Sequence, residues 1–150
     1  MTVLDGIFNE VDARLLAVVE PDDGSYEREP SGDPDVFPAV SAHDGGDEVL
    51  PDQETGSTRL SLTLTVAGLV QGRSGPEAHA AMLALHARVV FALMGDAGSN
   101  LGGVPGVERI DLAGQRRVDV AELSNVGRLG FEQDFNIQYS TVRGDPSQAA

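Results

Sequence analysis

Side chains able to do chemistry are few in this sequence, and each has a spacing that limits what it could do. Three histidines occur, His43, His79 and His86. His79 and His86 are seven apart in a stretch with helical periodicity, about two turns or roughly 10 Å. That is too far for both to ligate one metal unaided, so they are read as amphipathic side chains bordering a buried face. Gly72-Arg73-Ser74-Gly75-Pro76 approaches a nucleophile elbow, which would expose a serine on a tight strand-to-helix turn, but the last position is proline. Ser74 fits better as the N-cap of a helix, with Glu77 three residues on. The run Gly98, Gly102, Gly103, Gly106 has the look of a phosphate loop, yet it follows a predicted helix and precedes a predicted strand, the reverse of a dinucleotide fingerprint. The carboxylates Asp44, Asp47, Glu48, Asp52 and Glu54 could invite calcium, but they lack the regular oxygen spacing, glycine and closing glutamate of a calcium loop. They are read as an exposed acidic loop.

Composition removes further classes of chemistry. There is no cysteine, so thiolate catalysis, disulfides and cysteine-ligated metals are excluded. All ten basic residues are arginine, which excludes a Walker lysine and a Schiff-base lysine. No cofactor is implied. A hydrolase built on paired carboxylates, or a small ligand-binding domain, stays open as an alternative, because acids distant in sequence can meet in space. The formal charge of −14 is uneven: residues 1 to 54 hold fifteen Asp or Glu against two Arg, and residues 55 to 150 hold nine against eight. A front half of this sign repels nucleic acid, since duplex affinity rests on neutralising phosphates. The doublet Arg116-Arg117 is too small for a nucleic-acid patch and is a candidate for an intersubunit pair with the acidic half. An acidic, lysine-free composition is equally what genome composition or a salty habitat would give.

These residues must be positioned by a small set of elements. At 150 residues the chain is expected to form a single domain, 1–150, with acidic loops at about 21–35 and 44–57. Neither a signal-like terminus nor an uninterrupted apolar stretch of spanning length is seen, so a soluble, non-secreted protein with no membrane partner is expected. Ile7, Phe8, Val11, Leu15, Val18 and Val19 predict an amphipathic helix over about 5–20. A short apolar strand is expected at 36–43, with Pro38 marking an edge position or the strand start, since it cannot donate to a ladder. Leu60, Leu62, Leu64, Val66, Gly68 and Val70 share one parity and predict a strand over 59–70. Ala78, Met82, Leu85, Val89 and Leu93 form the stripe of a second helix over 75–94. After a glycine-rich connection at 95–106, two short strands, 107–113 and 117–123, are read as a hairpin around Gly114-Gln115. In the closing strand Phe131, Gln133, Phe135, Ile137, Tyr139 and Thr141 alternate with polar residues. It is read as a half-buried strand that supplies a sheet edge and an assembly surface, with Phe135, Ile137 and Tyr139 as contact candidates. The fold class is α+β, an antiparallel or mixed β-sheet with two helices packed on one face.

Taken in order, Phe37-Pro38-Ala39-Val40 running into the acidic glycine loop, the strand 59–70, the following helix and the final Phe-x-Ile-x-Tyr strand resemble a phage tail terminator, the minor tail protein U type of long-tailed phages, related to tail-completion proteins. The long acidic loop at 21–35 and the glycine-rich connection depart from that pattern. The resemblance implies a non-enzymatic virion protein at the head-proximal end of the tail, assembled in the host cytoplasm. It would form a homo-hexameric ring that stops tail-tube polymerisation and meets the head-tail connector, with DNA passing through transiently. A head-tail joining protein one ring higher is the alternative. The acidic residues 44–54 would then face the bore or a neighbouring ring.

Overall fold

The computed structural model describes residues 1–51, 53–119 and 127–150. Helix α1, Val3–Val19, opens with a capping box in which the Thr2 side chain accepts from the Asp5 amide while Asp5 accepts from the Thr2 amide. This satisfies two amides that the first turn leaves without helical partners. A 3-10 turn, Glu20–Asp22, leads into strand β1, Ser25–Arg28, then β2, Ala39–Val49, and β3, Ser57–Gly72. Helix α2, Gly75–Met94, is capped as expected: Ser74 Oγ accepts from the Glu77 amide at 3.3 Å. Strands β4, Val107–Asp119, β5, Gly127–Val142, and β6, Asp145–Ala149, complete the chain.

The sheet runs β1-β2-β3-β5-β4, with β1 parallel to β2 and the other pairs antiparallel, so it is mixed. The alternation in β3 and β5 sets its two faces. Leu62, Leu64, Val66 and Val70 of β3 and Phe131, Phe135 and Ile137 of β5 are buried on one side. They form a continuous cluster with Ile7, Val11 and Leu15 of α1 and Met82, Leu85, Val89 and Leu93 of α2. The expected α+β class, with both helices on one face, is what forms. Helix α2 is long and apolar enough, by length and composition alone, to cross a membrane. Here its buried stripe is the one the sequence spacing gave, and it packs against β3 and β5.

Four expectations are corrected. The loop read at 21–35 contains β1, held to α1 by the Tyr26 hydroxyl donating to Asp12 Oδ1 at 2.5 Å and by Arg28 3.4 Å from the same carboxylate. The loop read at 44–57 is half strand. Asp44 pairs with Leu64 and Asp47 with Leu62, the register slipping by one between them, and Gly46 at φ +89° supplies a conformation other residues resist. The hairpin read at 107–123 is one strand, β4, with slips at Val107/Arg109 and Leu112/Gln115. A bulge re-aims a strand without turning it back, and Gly114-Gln115 does that here. Residues 120–123 of that predicted hairpin lie outside the described residues. Finally, β5 is not an edge. It pairs with β3 along its whole length, with β4 on its other side, and with β6 at Thr141 and Val142. Side-chain alternation reports which face a residue takes, not whether a neighbour strand is present.

Candidate functional site

The residues singled out from sequence scatter over three places. Phe135 and Ile137 are fully buried and Tyr139 nearly so. Phe135 and Ile137 belong to the core beneath the helices and offer no exposed contact on the single chain, whereas Tyr139 is buried along its ring and lines a cleft. Arg116 and Arg117 occupy positions of the outer strand β4, in register with Glu132 and Phe131. Asp44, Asp47 and Glu48 lie on β2, and Glu54 on the exposed turn before β3. Asp52 lies outside the described residues.

Of these, Asp47 and Tyr139 come together. The Tyr139 hydroxyl hydrogen-bonds the Asp47 carboxylate, and both groups line an open cleft of about 350 Å³ with Thr2, Thr58 and Asp145. Residue 47 as a whole is exposed, yet its carboxyl packs against the tyrosine. Burial pushes the Asp47 carboxyl above its ordinary 3.8, and the like charge of Asp44 adds to this, while the Tyr139 hydrogen bond opposes it. Burial, with the Asp47 charge, raises the tyrosine as well. A raised carboxyl in the folded state favours the neutral form, so Asp47 is harmless below its unfolded value and destabilises increasingly as the pH rises through its folded one. Asp47→Asn, which keeps an oxygen to accept from Tyr139, is expected to unfold at higher urea than the wild type at pH 7. The gain should vanish near pH 3; a variant no more stable at pH 7 would refute this account. The chemistry is that of a packed polar contact. Among the described residues no group of three His, Asp or Glu side chains is placed to hold a metal.

A second polar constellation has no apolar or motif signal in the sequence. Gln133 is 2% exposed inside the core face of β5. Its Nε2 donates to the carbonyls of Asp134 at 2.9 Å and Gly114 at 3.1 Å, and its Oε1 lies 2.8 Å from His86 Nε2. A buried amide must find partners, and this one finds them at the β4 bulge, whose carbonyls the ladder leaves over. His86 in turn meets the Phe131 ring edge-on at 5.0 Å. The histidine is thereby a structural group, as its position at the border of the α2 stripe implies. His79 is exposed, and His43, half-buried on β2, has Nε2 3.0 Å from Ser41 Oγ. Gln133 could have been found from sequence only as the amide that interrupts the large apolar and aromatic side chains between Phe131 and Tyr139 on one parity of β5.

The opposite face of the sheet carries no helix among the described residues. It presents Thr63, Thr65 and Ala67 of β3 beside Asp134, Asn136 and Gln138 of β5, all half-buried, with Thr65 Oγ1 donating to Asp134 Oδ1 at 2.7 Å. Arg59 forks onto Glu108 across this face, Nη2 to Oε2 at 2.7 Å. The face is polar and of mixed charge.

No family model and no curated protein matches this chain. Among solved structures, a chain of the "Virion of native gene transfer agent (GTA) particle" aligns with a TM-score of 0.54, over 93% of this chain and 92% of that one. The two chains share a fold. Sequence identity between them is 17%, so the likeness lies in the course of the backbone. It extends across nearly all of both chains, and thus across the helix layer and the sheet together.

Proposed function

We propose that this chain is a structural virion protein of a tailed, phage-like particle, a tail terminator that forms a ring on the tail tube, stops its growth and joins the tail to the head connector. The reading is carried by the shared fold: the neighbour belongs to a gene transfer agent virion, and the two match over 93% of this chain and 92% of that one. The element order that resembles the tail-terminator family supports it, as does a balance of −13 in residues 1 to 54. Carboxylates of that half, Asp44, Asp47 and Glu48 among them, would repel passing DNA if turned toward a bore. In this role the work is steric and interfacial. A subunit ends a polymer when one of its faces accepts the tube and the other accepts no further tube subunit. A head-to-tail contact closes into a ring when its rotation is right, and six copies are the number that the resemblance implies.

Electron microscopy of the purified protein mixed with the tail-tube protein of its own genome tests this. Rings at the ends of shortened tubes are expected. Full-length tubes with bare ends would overturn termination, and binding to the connector alone would assign the chain to the head-tail joint.

A further inference from the structure

Segment 29–38, after β1, folds back over the helix-free side of the sheet and encloses a cavity of about 250 Å³. Its floor is apolar, Ala67 and Leu69 of β3 with Val36 of the segment, and Glu27, Asp33 and Asp35 line it with exposed carboxylates. The segment is pinned rather than loose. Ser25 Oγ donates to the Val36 carbonyl at 2.9 Å, and the Arg128 guanidinium lies 4.9 Å from the centre of the Phe37 ring. None of the three carboxylates makes an ion pair among the described residues. A cavity of this size admits one side chain, not a helix or a strand. An apolar floor under an acidic rim fits a long aliphatic stem ending in a cation, and a guanidinium can take two carboxylates in its plane.

We propose that this cavity is a socket for Arg143 of a second copy of this chain. The choice is made among the eight arginines whose side chains the structure describes, and Arg116 and Arg117 stand outside it. Arg14, Arg28, Arg59, Arg88 and Arg109 are ion-paired within the chain, and Arg128 stacks on Phe37. Arg73 and Arg143 are exposed, with no ion pair among the described residues. Arg143 stands on the turn between β5 and β6, its amide bonded to the Gly56 carbonyl at 2.9 Å and Gly144 beside it at φ +78°. Val142 pairs with Ser57 at the start of β3, whereas the socket floor is Leu69 near its other end. At about 3.3 Å per residue the two features are roughly 40 Å apart, so one chain cannot join its own. Socket and arginine therefore meet only between copies, head to tail, as a ring requires. Arg73 stands next to the socket end of β3; using it would favour a two-fold contact that closes at two copies.

The inference rests on the proposed self-assembly, and sedimentation of the full chain separates the two. Wild type is expected to associate. Arg143→Glu, and separately Asp33→Arg with Asp35→Arg, should raise the concentration for half-association by about tenfold or more, as for close interfacial charge pairs, with unchanged circular dichroism. Combining all three substitutions should restore most of the association. If both variants assemble like the wild type, the socket is refuted and the ring stands. If Arg73→Glu disperses the assembly and Arg143→Glu does not, the occupant is wrong. A wild type that stays monomeric, alone and with tube protein, removes the ring reading and this contact with it.

Discussion

Phe135→Ala is expected to lower folding stability by about 4 kcal/mol, within the range for truncating a buried phenylalanine. The side chain is fully buried, in register with Leu64 on one side and Leu112 on the other. Removing the ring withdraws its contacts from a layer that lies between sheet and helices and cannot close up, because β5 is hydrogen-bonded on both edges where Phe135 sits. Urea denaturation should show an earlier midpoint with little change in slope. Any loss of self-association should follow the fraction unfolded. Normal stability with abolished association would instead make Phe135 a contact residue, contrary to its burial.

Gly68→Ala is the second large effect, about 3 kcal/mol and of opposite geometry, since overpacking costs as surely as a void. A Cβ built on Gly68 would lie 2.4 Å from Phe131 Cε1 and 2.5 Å from Cζ, with Leu85 Cδ2 at 3.1 Å. The Phe131 ring is 1% exposed and held edge-on by His86, so it has nowhere to retreat. Gly68 and Phe131 are directly paired across β3 and β5, which makes the contact a property of the register. Shortening the partner should relieve it: Phe131→Leu is expected to cost less in the Gly68→Ala background than alone, a coupling that a double-mutant cycle in urea measures. Additive losses would mean that the ring finds another position.

What the sequence made legible follows from where one period runs unbroken. The stripes of α1 and α2 were readable because their apolar positions return every three or four residues, and β3 and β5 because theirs return every two. Strand β1 gave no such signal. It is held by the Tyr26 hydroxyl, Arg28 and a parallel ladder, with one large apolar side chain in four residues. β6, Asp145–Ala149, reads as a turn and forms by backbone pairing with β5. The acidic half of β2 and the middle of β4 were misread for a shared reason: each slips register, so the alternation on either side is out of step. The contact candidates Phe135 and Ile137 failed differently. Large apolar residues at the end of a chain are ambiguous between surface and core, and the burial of these two decides for the core. Gln133 and His86 were invisible as a pair because their partners are backbone carbonyls and each other across 47 positions.

The slips at Asp44/Asp47 and Leu112/Gln115 also divide the sheet by its tolerance of length changes. On the far side of Gly45-Gly46 the helix-facing positions become Asp47 and Val49, odd numbers, where Val40 and Ala42 were even. Removing one of those glycines would take out the extra residue and join both halves in one alternation, with Asp47 still opposite Leu62 and Val49 opposite Leu60, so the later β2 residues keep their faces. β3 and β5 have no such joint, their pairing running without interruption from Ser57↔Val142 to Gly72↔Gly127. Single-residue insertions and deletions should therefore accumulate in β2 and β4 across related chains, letting the outer strands retune what they present to neighbours while the central pair keeps one frame.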